Sequence, residues 1–287
     1  MTNIMTFDIE EWYHSNLSGN DPQRWAQYES RVVDPTLRFV QHLNETGNTA
    51  TFFILGKVAE KYPEMVRAIR ENGHEVASHS YDHQLIYEQT REEFAADLEK
   101  SLKVLEDITN EKVVGFRAPS WSINERTQWV WEIMRSNGIE YDSSLYPFKT
   151  FLYGSNESPR FAHAIPVDGY EHIFEMPPSV VELFNKRVPF CGGFFLRALP
   201  YRFIRWCIHR INQKESQPAI IYLHPWEIDV DIPRLDLGLK ETFIKYVNIA
   251  QAESKLRRLL EEFRFVSVAE SLAGVKAQKL EMVEGLR

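Results

Sequence analysis

The chain has 287 residues, 44% apolar and 13% aromatic, with 33 Lys+Arg against 41 Asp+Glu for a net charge of −8. The apolar share supports a large core, which excludes an intrinsically disordered chain, and the acidic balance without a Lys/Arg cluster excludes a protein built to grip nucleic acid or anionic lipid. The longest apolar stretches, Phe52 to Leu55 and Ala219 to Leu223, fall far short of the ~20 residues that cross a bilayer, and Met1 to Glu10 has neither a basic start nor an apolar signal core.

Short apolar runs alternate with segments of helical period, the pattern of a parallel βα-repeating fold. A first strand is expected at Asn3 to Asp8, after which Asp34-Pro35 offers an N-cap with proline at the first helical position and Gly47 a stop. Strands follow at Ala50 to Leu55 and His74 to Ser78. Thr90 with Glu93 is a capping box for a helix whose apolar positions are Phe94, Leu98, Leu102, Leu105 and Ile108. A strand at Val113 to Phe116 leads to a helix over Asn124 to Asn137 that ends at Gly138. A strand at Ile139 to Asp142 precedes a region of scattered Gly, Pro and aromatic residues, a loop-rich insertion with one hairpin over about residues 147–198, within which His172 to Met176 reads as a further strand. Strands at Ala219 to Leu223 and Arg264 to Val268 flank the longest periodic run, Thr242 to Phe263, and Val275 to Arg287 reads as a loose terminal helix. Such a set of strands suits a barrel, and without a repeat or linker residues 1–287 read as a single domain. Cys191 and Cys207 have no partner in a metal spacing and read as buried free thiols, which with the amino terminus points to the cytoplasm.

Chemistry is concentrated at strand ends. In His79-Ser80-Tyr81-Asp82-His83 the imidazoles share one face of a helical turn, close enough to ligate one divalent metal. Thr6-Phe7-Asp8-Ile9-Glu10-Glu11 places carboxylates at the carboxyl end of the first strand, the face on which barrels build active sites; Asp8 and Glu10 point the same way in a continuing strand, giving one carboxylate for a metal and one for proton transfer. In Phe116-Arg117-Ala118-Pro119-Ser120-Trp121 the arginine can hold a neighbouring carboxylate and the tryptophan offers a flat apolar face. Tyr222-Leu223-His224-Pro225-Trp226-Glu227 ends a late strand with a histidine. Each has a bland reading as a structural histidine, a solvated acidic loop or a salt bridge, but functional groups at strand ends on one face weigh against coincidence.

In chain order, Thr6-Phe7-Asp8, His79-Ser80-x-x-His83, Arg117-x-Pro119, Asp142 followed by Tyr146, and Leu223-His224 resemble the motifs of the polysaccharide deacetylases, carbohydrate esterase family 4, which include nodulation-type chitooligosaccharide deacetylases. Asp8 to His14, Phe116 to Ser122, Gly192-Gly193-Phe194-Phe195 and His224-Pro225-Trp226-Glu227 look more narrowly like the branch associated with exopolysaccharide gene clusters. The resemblance implies an α/β fold, a distorted (β/α)7–8 barrel, and hydrolytic removal of N-acetyl groups from an amino sugar in a glycan or glycan precursor, in exopolysaccharide or cell-envelope biosynthesis. It also implies a divalent metal, zinc with Co2+, Ni2+ or Mn2+ as alternatives, held by a carboxylate and two histidines.

Carried onto this chain, His79 and His83 are the histidine ligands and Asp8 the catalytic base. The family's usual Asp after the base is Ile9 here, so Glu10 takes the metal carboxylate role, with Asp8 itself at the metal as the alternative. His224 is the proton donor, Arg117 holds Asp8, Asp142 orients His224, and the backbone N–H of Ser120 binds the oxyanion. Trp121 and Trp226 are sugar platforms or packing residues, and Tyr146 stands at a subsite where the family usually has Trp. The rival readings are hydrolysis of another amide, such as a cyclic imide or ureide, and a glycan-binding domain with a decayed metal site, for which Ile9 is the motive.

Overall fold

A computed structural model describes residues 1–14, 22–150 and 153–274; the segment expected as a terminal helix, Val275 to Arg287, lies outside them. The elements run β1 (Asn3–Ile9), α1 (Val33–Thr46), β2 (Thr51–Ile54), α2 (Gly56–Lys61), α3 (Pro63–Glu71), β3 (Glu75–Ser78) and α4 (Arg91–Thr109). They continue with β4 (Gly115–Phe116), α5 (Val130–Ser136), β5 (Tyr141–Asp142), β6 (His163–Ile165), β7 (Ile173–Glu175), β8 (Val180–Leu183) and β9 (Lys186–Pro189). The last are α6 (Gly193–Ala198), α7 (Tyr201–Lys214), β10 (Ile220–Leu223), α8 (Leu239–Tyr246), α9 (Ile249–Glu262) and β11 (Phe265–Val266).

The strands β10, β1, β2, β3, β4, β5 and β7 pair side by side, all parallel, in a curled sheet. β11 also pairs with β1, at its start, where Asn3 donates to the Arg264 carbonyl (2.8 Å). The curl is bridged past β7 by Ser179, whose Oγ accepts from the Ile220 N–H (2.8 Å) and whose N–H donates to the Ile220 carbonyl (3.1 Å). This is the distorted (β/α) barrel architecture, closed by a two-bond contact instead of a further strand. Within the loop-rich region β6 adds antiparallel to β7, and β8 and β9 form the expected hairpin, turning on Phe184 and Asn185 with φ of 51° and 59°.

Period-two alternation along β1 sets the architecture of the site. Met5, Phe7 and Ile9 face the helices, where Phe7 stacks on Phe39 of α1 with ring centroids 4.2 Å apart. Ile4, Thr6, Asp8 and Glu10 face the other way, and Ile4 packs inside the barrel with Phe53, Ala77, Tyr141, Met176 and Ile220. Val268 and Leu272, which follow β11, join that interior cluster. Glu75 ties its lower end, accepting from Tyr141 Oη (2.7 Å), Thr51 Oγ1 (2.6 Å) and the Ala269 N–H (3.0 Å).

Three helices differ from expectation. α1 starts at Val33, two residues earlier than an Asp34 N-cap allows, and the Asp34 carboxylate instead pairs with Arg38 at 3.2 Å. The stretch from Asn124 divides into a 3₁₀ turn at Glu125–Thr127, capped by the Asn124 side chain, and α5. The Thr242 to Phe263 run breaks into α8 and α9 at Asn248, where φ is 47°. The cause is Arg197, buried at the end of α6, which donates to the carbonyls of Ile244 (3.0 Å), Lys245 (2.9 Å) and Val247 (3.0 Å) and so satisfies the carbonyls left open at the end of α8. The Thr90–Glu93 capping box of α4 forms with both of its bonds, at 2.8 and 3.2 Å.

Candidate active site

A cavity of about 400 Å³ opens over the carboxyl ends of the strands and is lined by Asp8, Glu10, His79, His83, Ser120, Trp121, His224, Trp226 and Glu227, among others. Ile9, between the two carboxylates of β1, is buried in the helix-facing core, so the strand's alternation presents Asp8 and Glu10 together.

The segment after β3 is not the helical turn that its spacing suggests. Ser80 and His83 have φ of 69° and 56°, Asp97 of α4 accepts from the N–H groups of Tyr81 (2.8 Å) and Asp82 (3.2 Å), and Ser80 Oγ accepts from the His83 N–H (3.2 Å). This irregular turn still brings both imidazoles to Glu10, whose Oε2 lies 2.6 Å from His83 Nε2 and 3.8 Å from His79 Nε2. The Arg117 carbonyl can only accept, so His79 Nδ1, 2.8 Å away, carries the proton and Nε2 presents a lone pair. Ligand atoms of Glu10, His79 and His83 all lie within 4.8 Å of one another and all three residues are buried, a donor set that fits a divalent cation. Burial works to raise the Glu10 carboxyl, but the His83 charge, with the His83 hydrogen bond beside it, holds it well below the usual range. His14 stacks against His83 at 5.4 Å, and burial, then the His83 charge, push its imidazole down to about 3, so it is neutral.

Asp8 is fixed from behind. The fully buried Arg117 donates from Nη1 to Asp8 Oδ1 (2.6 Å) and Thr6 Oγ1 (3.0 Å), from Nη2 to Ser143 Oγ (2.7 Å) and from Nε to the Ser143 carbonyl (3.0 Å). Its guanidinium also lies 4.2 Å from the ring centroid of Phe53. With Oδ1 engaged, Asp8 Oδ2 faces His224 Nε2 at 3.9 Å, and Glu10 Oε1 lies equally far from that nitrogen.

The carboxylate beside His224 is not Asp142. Asp142 is fully buried at the end of β5, where it accepts from the N–H (2.9 Å) and Oγ (2.6 Å) of Ser144. It shares its environment with Glu175, whose carboxyl burial and the Asp142 charge push well upward. Neither lines the cavity. Glu227 stands by His224 instead, with Oε2 3.6 Å from His224 Nδ1 and 3.1 Å from the His224 N–H. Burial would lower the His224 value, but Glu227 foremost, then Glu10 and Asp8, raise it to about 9. Arg197 sits 3.6 Å from the other oxygen of Glu227, and Gly193 lies so close that a Cβ there would overlap the carboxylate.

Ser120 and Trp121 have left-handed backbones, φ 51° and 49°, which turn the chain after β4 toward the cavity. Trp121 is only 7% exposed and packs against Tyr146, Tyr153 and Tyr222, while Trp226 is half-buried with the His224 ring stacked at 5.3 Å and Lys245 Nζ 4.4 Å from its centroid. Tyr146 does not reach this cavity: it is 1% exposed, packed behind Trp121. Sequence reasoning assigned no part to Glu227, Gly193, His14 or Lys245; Glu227 and Gly193 lie inside runs that were legible as distinctive, three residues after the histidine and in a glycine pair.

Comparison with known proteins agrees with this architecture. Residues 25–141 match the polysaccharide deacetylase family, and residues 143–273 match a domain of unknown function, DUF3473. Residues 25–141 are thus a polysaccharide deacetylase domain, carbohydrate esterase family 4. It is similar to a peptidoglycan deacetylase of Helicobacter pylori, 32% identical over 96 residues, which are 33% of this chain and 32% of the relative. A chitooligosaccharide deacetylase of Azorhizobium caulinodans is 35% identical over 83 residues, 28% of this chain and 40% of the relative. The matched stretches thus span about a third to two-fifths of these curated relatives. Among solved structures, a Mycobacterium smegmatis protein assigned to the polysaccharide deacetylases superposes with a TM-score of 0.63 at 19% identity, over 96% of this chain and 90% of that one. The peptidoglycan deacetylase PdaC of Bacillus subtilis gives 0.51 at 14% identity, over 99% and 97%. Both share the fold.

Proposed function

We propose that the protein is a metal-dependent N-deacetylase of an N-acetylated amino sugar in a glycan or glycan precursor. The observation that carries the reading is one cavity holding the Glu10, His79 and His83 set, an Arg117-bound Asp8 and a Glu227-paired His224. Ile9 gives no support to a decayed site, because Glu10 supplies the carboxylate at the next inward position.

Glu10, His79 and His83 are the residues that would hold a divalent cation, with zinc favoured by the nitrogen and carboxylate donors. When bound there, such a cation supplies Lewis acidity toward a carbonyl and lowers the pKa of water. Asp8 Oδ2 accepts the proton of the attacking water, and the bond from Arg117 to Oδ1 keeps Oδ2 turned to the cavity. Ser120, turned inward by its left-handed backbone, is the proposed oxyanion donor through its N–H. His224, favoured as the imidazolium by Glu227, gives its Nε2 proton to the sugar nitrogen as the C–N bond breaks, so acetate and a free amine leave. Trp226, open on the cavity side, is the stronger candidate for a sugar platform, since Trp121 is enclosed by tyrosines. The unpaired, buried Cys191 and Cys207 support a reducing, cytoplasmic site of action, and the exopolysaccharide-branch runs support a place in exopolysaccharide or envelope biosynthesis.

The test is metal analysis of the purified protein together with acetate release from N-acetylglucosamine oligomers. Metal at one equivalent, activity lost on chelation and restored by zinc, and no activity in Asp8→Asn or His79→Ala are expected. A wild type that holds no metal and matches both variants over a panel of acetylated glycans overturns the reading.

A further inference from the structure

The cavity does not end at its polar floor. Phe194 and Phe195 of α6 and Ile244 of α8 form an apolar wall, and the Phe194 ring meets Phe243 edge-on with centroids 6.4 Å apart. Phe243 is 58% exposed, and Leu239 is 93% exposed. Their i, i+4 spacing on α8 puts both on one face, about 6 Å apart along the axis. Isolated exposed apolar side chains are ordinary, but these two extend a cavity wall that is itself aromatic and aliphatic.

The two helices that carry this strip are locked together. Arg197 of α6 bonds three carbonyls at the end of α8, and Lys255 of α9 donates to the carbonyls of Leu196 (2.8 Å), Arg197 (3.1 Å) and Leu199 (2.9 Å) at the end of α6. An apolar surface held this way needs little ordering to bind. A bare saccharide has only the C–H faces of its rings to offer, which suit a flat ring such as Trp226 but match poorly a strip that ends in the aliphatic Leu239 a helical turn beyond the cavity. A bilayer is a poor match as well, since the chain carries a net charge of −8.

From the strip's continuity with the cavity we infer that it takes an apolar chain carried by the saccharide substrate, an alkyl, acyl or prenyl chain such as a glycolipid has. This rests on the N-deacetylase reading and adds the class of substrate.

The experiment compares methyl, butyl and octyl β-glycosides of N-acetylglucosamine, each below its micelle concentration, with chitotetraose. The expected result is a KM at least about tenfold lower for the octyl than for the methyl glycoside, since each buried methylene is worth ~0.8 kcal/mol, at unchanged kcat. In the double variant Leu239→Ser/Phe243→Ser that advantage disappears while chitotetraose kinetics and the unfolding temperature stay as in wild type. Equal KM values along the series, or a double variant that keeps the octyl advantage, overturn the inference. So does a wild type that binds sugar-free phosphatidylglycerol vesicles through these residues without chain-length dependence. If no glycoside releases acetate, the N-deacetylase reading fails separately, and titration of intrinsic tryptophan fluorescence with the octyl and methyl glycosides still reads the strip, equal affinities refuting it.

Discussion

Gly193→Ala tests whether the glycine pair makes room for the carboxylate behind His224. A Cβ at Gly193 would overlap Glu227 Oε2, Oε1 and Cδ together, so no small rotation relieves it and the carboxylate must leave. Glu227 then loses Arg197 (3.6 Å) and His224 (3.6 Å), and Arg197 stays buried with its three carbonyl partners but without a counter-charge. Breaking a buried pair from one side costs roughly 3–5 kcal/mol, and because Arg197 keeps its hydrogen bonds the lower end, about 3 kcal/mol, is expected. At ~2–4 °C per kcal/mol for a chain of this size class, the unfolding temperature falls by about 6–12 °C. Removing the carboxylate beside the imidazole proposed as proton donor also lowers kcat by about 10–100-fold.

The assay is a double-mutant cycle with Glu227→Ala, read by urea unfolding and by acetate release. Truncating Glu227 removes the atoms that Gly193→Ala collides with, so in that background the second substitution adds under about 0.5 kcal/mol and no further loss of kcat. If Gly193→Ala costs as much with Glu227 absent as with it present, the glycine serves the backbone of α6 and the steric argument is refuted.

The remaining predictions concern charge. His224 is raised to about 9 against an ordinary 6.5, so the imidazolium contributes stability that is whole below pH 6.5 and lost as pH rises through 9. Between pH 7 and 7.5 His14, at about 3 against an ordinary 6.5, is neutral in the native state and mostly neutral in the unfolded one, and Lys245, at about 8, is mostly protonated in both. Metal-free wild type therefore loses about 1.4 kcal/mol per pH unit from His224 there. Raised carboxyls such as Glu175 act in the same sense, so the readout is the difference from His224→Gln, whose urea midpoint falls less steeply; parallel curves refute the assignment. Glu227→Gln moves the alkaline limb of kcat/KM to lower pH, whereas Asp142→Asn leaves it in place, the reverse of what a His224–Asp142 pair requires. Arg117→Met destabilises by about 3–5 kcal/mol in urea unfolding, and Arg117→Lys does not restore kcat, because a point charge cannot bond Asp8, Thr6 and Ser143 at once.

Where the parallel strands lie was legible because a buried strand needs a short run of β-branched and aromatic residues, and runs such as Ala50 to Leu55 have no competing reading, whereas β6 and the bounds of β8 and β9, on the half-exposed edge, were not. The pairing of Asp8 with Glu10 followed from the same alternation that buries Ile9. Less local features were hidden. The Thr242 to Phe263 run keeps helical period throughout, and what breaks it, the Arg197 guanidinium, comes from 45 or more residues earlier in the chain. The spacing of His79 and His83 suggested a helical turn, but Asp97 pins their segment in a conformation with positive φ at Ser80 and His83. Asp142 was assigned to His224 by motif order alone, and motif order carries no information about which strand end faces which. Its carboxylate turns to Ser144 and Glu175, while Glu227 reaches His224 through a 3₁₀ turn that a sequence of four residues encodes locally.

The distribution of the cavity over the chain bears on what the region of unknown function contributes. His79, His83 and Arg117 lie within the residues that match the polysaccharide deacetylase family, and Asp8 and Glu10 precede them. Gly193, Phe194, Arg197, His224, Trp226, Glu227 and Lys245 lie within the DUF3473 match, and they line the same cavity from the opposite side. Residues up to 142 thus carry the cation-type donor set and the Arg117-bound Asp8; the DUF3473 match carries the imidazole facing Asp8, the carboxylate behind that imidazole and the apolar wall leading out. Neither half has the proposed proton acceptor, Asp8, and the proposed proton donor, His224, together. A fragment ending near residue 142 also lacks β7 and β10, and so loses the strand that flanks β1 and positions Asp8. The region of unknown function is then a structural requirement of the site, since without it β1 has an open edge where β10 pairs, and Asp8 Oδ2 and Glu10 Oε1 lose the His224 imidazole that faces them.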